Sequence, residues 1–215
     1  MTDCRSFIAY SKTLRIKMAI KVDKDKKRRD IAIACTELLL EKGIKNLTII
    51  EIAKTAGIGK GTVYDYFSNK EEIVFEIIRN FIEKHHDSLL SQSDKKTSTK
   101  QKTLYLFDIF LSEYQPYEKH LDVFREYLSV TLSSKCNPML EFNRECSDFI
   151  RKILEDIIEE GIEKGEIRDV SRNLIDGIMR AERGYMVVAW AEGRDLKQEF
   201  KEFIDTLFDL IEIKI

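Results

Sequence analysis

The nine consecutive residues Gly59-Lys60-Gly61-Thr62-Val63-Tyr64-Asp65-Tyr66-Phe67 carry the strongest chemical signal in the chain. Wound as a short helix, they turn Val63 and Phe67 inward and leave Lys60, Gly61, Thr62, Tyr64 and Tyr66 outward. Such a face suits nucleic acid, because threonine and tyrosine hydroxyls and a lysine hold phosphates while glycine lets a backbone approach closely. Asp65 is the discordant member. Phosphate would repel it, so it is expected to point aside or to accept from a cytosine amino group.

The elements that must position this segment lie just before it. Thr48-Ile49-Ile50-Glu51 has the Thr-x-x-Glu form of a capping box and predicts a short helix reaching about Thr55. Gly57 then supplies the positive φ of a sharp turn. Ile52, Ala53 and Ile58 join Val63 and Phe67 on one inner face, so residues 48–67 read as a helix-turn-helix, whose second helix fits a major groove about 12 Å wide. Upstream, Ile31, Ala34, Cys35, Leu38 and Leu39 recur at helical spacing and predict a helix over 24–42, ended by Gly43. Its first turn bears the basic run Lys26-Lys27-Arg28-Arg29, where Lys27 and Arg28 could touch a phosphate backbone; Thr48 and Lys70 are further candidates, Thr48 doubling as N-cap. Charge is divided in the same sense. Residues 1–70 hold 15 Lys and Arg against 8 Asp and Glu, a net +7, leaving 21 against 30, a net −9, for residues 71–215.

From about Lys27 to Phe81 the sequence resembles the N-terminal domain of the TetR (tetracycline-repressor-like) family. The resembling residues are Ile31, Ala34, Leu38, Gly43, Thr48, Ile52, Ala53, Ala56-Gly57-Ile58, Lys60-Gly61-Thr62, Tyr64-Asp65-Tyr66-Phe67 and Asn69-Lys70-Glu71-Glu72. The resemblance implies contacts to phosphates or bases from Thr48, Lys60, Thr62, Tyr64, Tyr66 and Lys70. Gly59 departs from the family pattern, which often has Ser there, so a side-chain phosphate contact is missing at that place. A TetR-like chain is further implied to bind a palindromic double-stranded DNA operator as a homodimer, and to be released by a small-molecule effector held among the middle helices.

The remaining sequence predicts helices throughout. Two overlapping caps, Ser68 with Glu71 and Asn69 with Glu72, precede a helix over 69–90 marked by Ile73, Ile77, Ile78 and Phe81. Ser91–Lys102 is polar and reads as a linker. Apolar periods then mark helices around Leu104–Tyr114, stopped by Pro116, and Leu121–Leu132, followed by one from Asn137-Pro138 to the Gly161–Gly165 region and two over 171–192 and 196–213. With 2 Pro, 9 Gly and 34% charged residues the fold class is all-α, about nine helices. The expected organisation is an N-terminal extension (1–23), a three-helix DNA-binding domain (24–70) with a connecting helix (69–90), and a ligand-binding and dimerisation domain (91–215). Met18 offers an alternative translation start, which would leave out residues 1–17.

In the body, Phe107, Phe110, Tyr114, Phe124, Tyr127, Phe149 and Trp190 are candidates to line an effector pocket, predicting a predominantly apolar effector. Gly177, Ala181 and Gly184 allow close approach on the penultimate helix, and Phe200, Phe203, Leu207 and Ile211 stripe the last one; these seven are candidates for a dimer interface. Four scattered cysteines, Cys4, Cys35, Cys136 and Cys146, without a C-x-x-C pair, read as reduced thiols, and His85, His86 and His120 lack zinc-like spacing, so neither metal nor cofactor is expected. The apolar runs are too short to span a bilayer, and a cytoplasmic protein is the simplest expectation. A helical-bundle enzyme finds no Gly-rich phosphate loop, nucleophile elbow or His-Glu-x-x-His motif in support. A nonspecific architectural DNA binder would leave the long acidic body and its aromatics without a purpose.

Overall fold

A computed structural model of the chain describes residues 24–94, 96–111, 115–133 and 137–213. The all-α expectation is borne out. Among the described residues every regular element is a helix, and the sole β feature is an isolated antiparallel bridge between Ile167 and Glu212. The chain divides into two compact units, one ending at Phe81 and the other beginning at Ile82.

The first unit opens with helical residues 24–34 (α1), interrupted by a turn at Cys35 before α2 (Thr36–Asn46). Gly43 stands at φ 72° and ψ 173° inside α2, so the regular winding stops at Lys42, as the glycine predicts, and a separate turn follows. Next come α3 (Ile49–Thr55) and α4 (Lys60–Tyr66). Between them Gly57, at φ 66°, lets the Ile58 N–H reach back to the Ala53 carbonyl at 3.0 Å. The predicted inward residues Ile52, Ala53, Val63 and Phe67 are all buried, and Ile58 is half-buried. Cys35 is buried too, its thiol pushed up to about 11 by desolvation, which keeps it protonated and inert. Cys146 is half-buried; Cys4 and Cys136 lie outside the described residues, as does the 1–23 extension.

Helix α5 (Lys70–Gln92) runs across the division between the units. The second unit continues with α6 (Thr99–Leu106), α7 (Asp108–Leu111), α8 (Gln115–Ser133), α9 (Asn137–Glu163), a 3-10 turn (Asp169–Leu174), α10 (Ile175–Glu192) and α11 (Lys197–Ile211). No helix among the described residues is long and apolar enough to cross a membrane. Elements beyond the expected nine arise where predicted helices break, at Cys35, at Phe107 and at the 3-10 turn.

One expectation needs correction here. The polar stretch Ser91–Lys102 is not one linker, because α5 extends to Gln92 and α6 begins at Thr99, with Ser98 accepting from the Gln101 N–H as N-cap. Polarity misled because α6 is seated by polar contacts as well as apolar ones. Thr99 donates its N–H and its hydroxyl to Glu166 (2.8 and 2.7 Å), and Lys102 pairs with Glu160 at 2.6 Å. Pro116 was expected to stop a helix; it also lies in the first turn of α8, where a missing N–H costs nothing.

The core of the second unit gathers on α11. Phe200 is fully buried, with Phe107, Phe110 and Tyr185 ring centroids 5.6, 5.7 and 5.4 Å away. The end of α11 is tied back by the Arg168 N–H to the Ile211 carbonyl and the Ile213 N–H to the Glu166 carbonyl. One half-buried charged group lies beside this apolar interior. Glu182 lies on the stripe of α10 between buried Ile178 and Met186, and burial pushes its carboxyl up to about 7 against the opposing pull of Arg183.

Gly161 and Glu182 each set a measurable term in the stability of this unit. A Cβ at Gly161 would come within 2.2 Å of the Thr99 hydroxyl, so Gly161→Ala is expected to destabilise the second unit by about 1–3 kcal/mol, with part recovered in the Thr99→Ala background, as read by thermal melting. A raised carboxyl pKa contributes stability that is fully present below the unfolded value and lost as pH rises through about 7. Glu182→Gln should therefore raise Tm at pH 8 and leave it nearly unchanged at pH 4.5, a comparison in which the other titrating groups cancel.

Candidate nucleic-acid interface

Helix α4 is presented by its neighbours. Its own N-cap, Gly59, offers no side chain, and the α4 residues that face out are Lys60, Gly61, Tyr64 and Asp65, all exposed, with Thr62 and Tyr66 half-buried. Tyr64 is 51% exposed although aromatic. A Cβ at Gly61 would meet nothing within 4 Å, so the fold makes no demand for glycine there. Asp65 points into solvent.

Three polar devices hold α4 in place. Arg28, on α1, donates a short hydrogen bond to the Tyr66 carbonyl at the end of α4 and lays its guanidinium over the Phe67 ring, 4.4 Å from the centroid. The same guanidinium faces Glu72 at 3.6 Å and Glu76 at 3.9 Å, and Glu76, only 7% exposed, is also met by Arg79 at 3.5 Å. Lys70, the first residue of α5, places its ammonium on three carbonyls at the C-terminal end of α2, those of Ile44, Lys45 and Leu47, at 3.0, 3.1 and 3.3 Å. Lastly, the Asn69 side chain caps α5 by accepting from the Glu72 N–H at 2.9 Å, while Glu72 reaches back to the Ser68 N–H at 3.1 Å.

Thr48 caps α3 as expected, accepting from the Glu51 N–H at 3.3 Å. The Glu51 carboxylate accepts from the Thr48 hydroxyl at 2.8 Å and pairs with Lys42. The hydrogen bond from Lys42, then that from Thr48, holds the Glu51 carboxyl below the usual carboxylate range.

Of the ten sequence-predicted DNA contacts, seven lie on the surface of this unit as half-buried or exposed residues without a side-chain task that consumes them: Lys27, Gly59, Lys60, Gly61, Thr62, Tyr64 and Tyr66; Thr48 is exposed too, with its hydroxyl engaged in the α3 cap. Arg28 and Lys70 stand differently. Both spend their charged heads on the fold, so each is first a positioning residue. Ile50, which is 66% exposed on the first turn of α3, joins this surface without having been expected there. Its signal was available, since Ile50 falls outside the Ile52–Ala53 inward face.

In the second unit the six described aromatic candidates fall into different ring groups. Phe107 and Phe110 pack on Phe200 in the core; Phe124, Tyr127 and Trp190 form a second group, with ring centroids 6.2 Å apart from Phe124 to each partner. Tyr127 donates to the Met139 carbonyl at 3.2 Å, its hydroxyl pushed up to about 12 by burial. Phe149, 37% exposed, stands edge-on to His86, and Tyr114 lies outside the described residues. Among the dimer candidates, Phe200 and Ile211 are corrected: both are buried within their own unit, Phe200 completely, because they supply its core. Gly177 and Gly184 are exposed, and Ala181, Phe203 and Leu207 half-buried. Exposed Val187, Val188 and Leu210, the last at 67%, were not foreseen.

A short clamped helix with an outward face of lysine, glycine, threonine and tyrosine, set after a Gly57 turn, defines a helix-turn-helix protein. Comparison with known proteins agrees. Residues 33–77 match the family described as bacterial regulatory proteins, tetR family. The HTH-type transcriptional repressor KstR2 of Mycobacterium tuberculosis is 26% identical over 166 residues, covering 76% of this chain and 80% of that protein. The fatty acid metabolism regulator protein of Bacillus subtilis is 26% identical over 149 residues, covering 66% and 72%. Among solved structures, a TetR transcription regulator from Haloarcula marismortui superposes with a TM-score of 0.69 at 19% identity, over 88% of this chain and 100% of that one. A transcriptional regulator from Saccharomonospora viridis, solved in complex with choline, gives 0.67 at 16%, with the same coverage. The chain is thus similar to TetR-family transcriptional regulators in its helix-turn-helix segment, in these relatives and in its fold.

The division of labour between adjacent basic residues is measurable. Arg28→Met should destabilise the first unit by about 1–3 kcal/mol, the range for a charged hydrogen bond, seen as a lower melting temperature. Lys27→Met should leave melting unchanged and lower the slope of DNA affinity against salt by about 1.

Proposed function

We propose that this chain is a ligand-responsive repressor that acts in the cytoplasm, binds a palindromic double-stranded operator as a homodimer, and leaves it when a small, predominantly apolar effector binds. The observation that carries the reading is the outward face of α4, where Lys60, Gly61 and Tyr64 are exposed and have no task within the fold. Lys27, Thr48, Gly59, Thr62 and Tyr66 flank that face and grip phosphates or base edges, while Arg28 and Lys70 keep α4 at the angle docking requires. Ile50 extends the face with an apolar contact suited to a thymine methyl group.

Dimerisation rests on α10 and α11, through Gly177, Ala181, Gly184, Phe203 and Leu207, joined by Val187, Val188 and Leu210. The exposed apolar side chains on these two helices support that assignment. A two-fold dimer sets two recognition helices about 34 Å apart, and an effector that favours another spacing releases the operator. The likeness to a relative named for fatty acid metabolism supports an apolar effector.

The test is a gel-shift titration against a duplex selected from a random library and against random DNA at one salt concentration. A large preference for the selected duplex is expected, whereas equal affinity would identify a nonspecific architectural binder. Thr62→Ala or Tyr64→Ala should each weaken specific binding by about 1–3 kcal/mol, and unchanged affinity in both would sink the docking of α4.

A further inference from the structure

The second unit contains a groove of about 630 Å³ between α9 and α10 that none of the aromatic candidates lines. Three arginines face it, Arg151, Arg180 and Arg183, with Asp148 and Asp176 on the same walls, a balance of +3 against −2. Met179 and Val187 supply an apolar flank. The arginines differ in what they already hold. Arg151 pairs with Asp176 at 3.0 Å and with Glu155, and Arg180 faces Asp176 at 3.6 Å. Arg183 has no carboxylate within ion-pair distance among the described residues. Its Nε is shut off from solvent and has no hydrogen-bond acceptor, and its guanidinium instead overlies the Phe124 ring at 6.0 Å.

A buried guanidinium donor left without an acceptor is costly, commonly by more than a neutral hydrogen bond contributes, and it persists where something else completes it. The planar fork of arginine matches a carboxylate or phosphate held by two parallel hydrogen bonds. We propose that the α9–α10 groove binds an amphiphilic anion, its head group on Arg183 and its apolar portion along Met179 and Val187. The proposal deepens the reading of an effector-controlled regulator, adding that the effector carries negative charge as well as apolar surface. Gly184 and Val187, on the groove wall, also belong to the face assigned to dimerisation, so the bound molecule would lie at the edge of the seam between subunits.

Trp190 is the only tryptophan of the chain, and its ring lies 6.2 Å from that of Phe124, beneath Arg183, which makes its fluorescence a local reporter. The full-length protein is titrated with decanoate, decyl phosphate, decanol and inorganic phosphate. Decanoate or decyl phosphate is expected to bind at least about tenfold more tightly than decanol or inorganic phosphate, and the stronger of the two identifies the head group. Arg183→Met should lose at least about tenfold of that affinity, and Arg183→Lys, which keeps the charge without the fork, should lose several-fold. Decanol binding as tightly as decanoate, inorganic phosphate matching decyl phosphate, or Arg183→Lys binding like the parent protein would each overturn the proposal. So would an Arg183→Met protein that retains probe affinity but dissociates in sedimentation velocity, because Arg183 would then pair across the dimer. Fluorescence titration needs no DNA, so a failed groove leaves operator binding untouched, and a failed operator titration leaves the groove standing.

Discussion

The DNA-facing geometry depends on one guanidinium. Arg28 joins the carbonyl end of α4, the ring of Phe67 and two carboxylates of α5, so it fixes in one place elements separated by about forty residues of sequence. Helix α4 is only seven residues long, and an isolated helix of that length is unstable in water. Its shape and its angle therefore come from tertiary contacts: Val63 and Phe67 below, Arg28 at its end, and the Gly57 turn before it. Lys70 does comparable work on the other side by collecting three carbonyls whose helix has ended.

This clamp explains what the sequence could and could not reveal. Periodicity and turn chemistry are local, so Thr48 as cap, Gly57 as turn, Gly43 as terminator and the Ile52–Phe67 inward face were legible from residue order alone. The partners of a long side chain are not local. Nothing in the run Lys26-Lys27-Arg28-Arg29 distinguishes the arginine that folds back onto Phe67 from the lysine beside it, and both suggest a phosphate contact equally well. Lys70 posed the same problem, since its targets are backbone carbonyls, which every sequence has.

In the second unit the limits lie elsewhere. An aromatic side chain at helical spacing announces burial, but burial in a core and burial around a cavity have the same periodicity. Phe107, Phe110 and Phe200 resolved into the first kind, and the groove between α9 and α10 turned out to be walled mainly by charged and small residues. The linker expectation failed for a related reason: Thr99 looks like a surface residue until Glu166 and the bare backbone of Gly161 are seen to receive it. A glycine needed for close packing carries no mark of it in the sequence.

The open surroundings of Gly61 have a consequence for how such a protein can change over evolutionary time. Residues that the fold uses, Arg28, Val63, Phe67 and Lys70, are separate from those it ignores, Ile50, Lys60, Gly61 and Tyr64. Substitutions in the second set cost the scaffold little, so duplicated copies of such a gene can drift to new target sequences without first acquiring spare stability. The architecture separates the evolution of what is read from the maintenance of the reader.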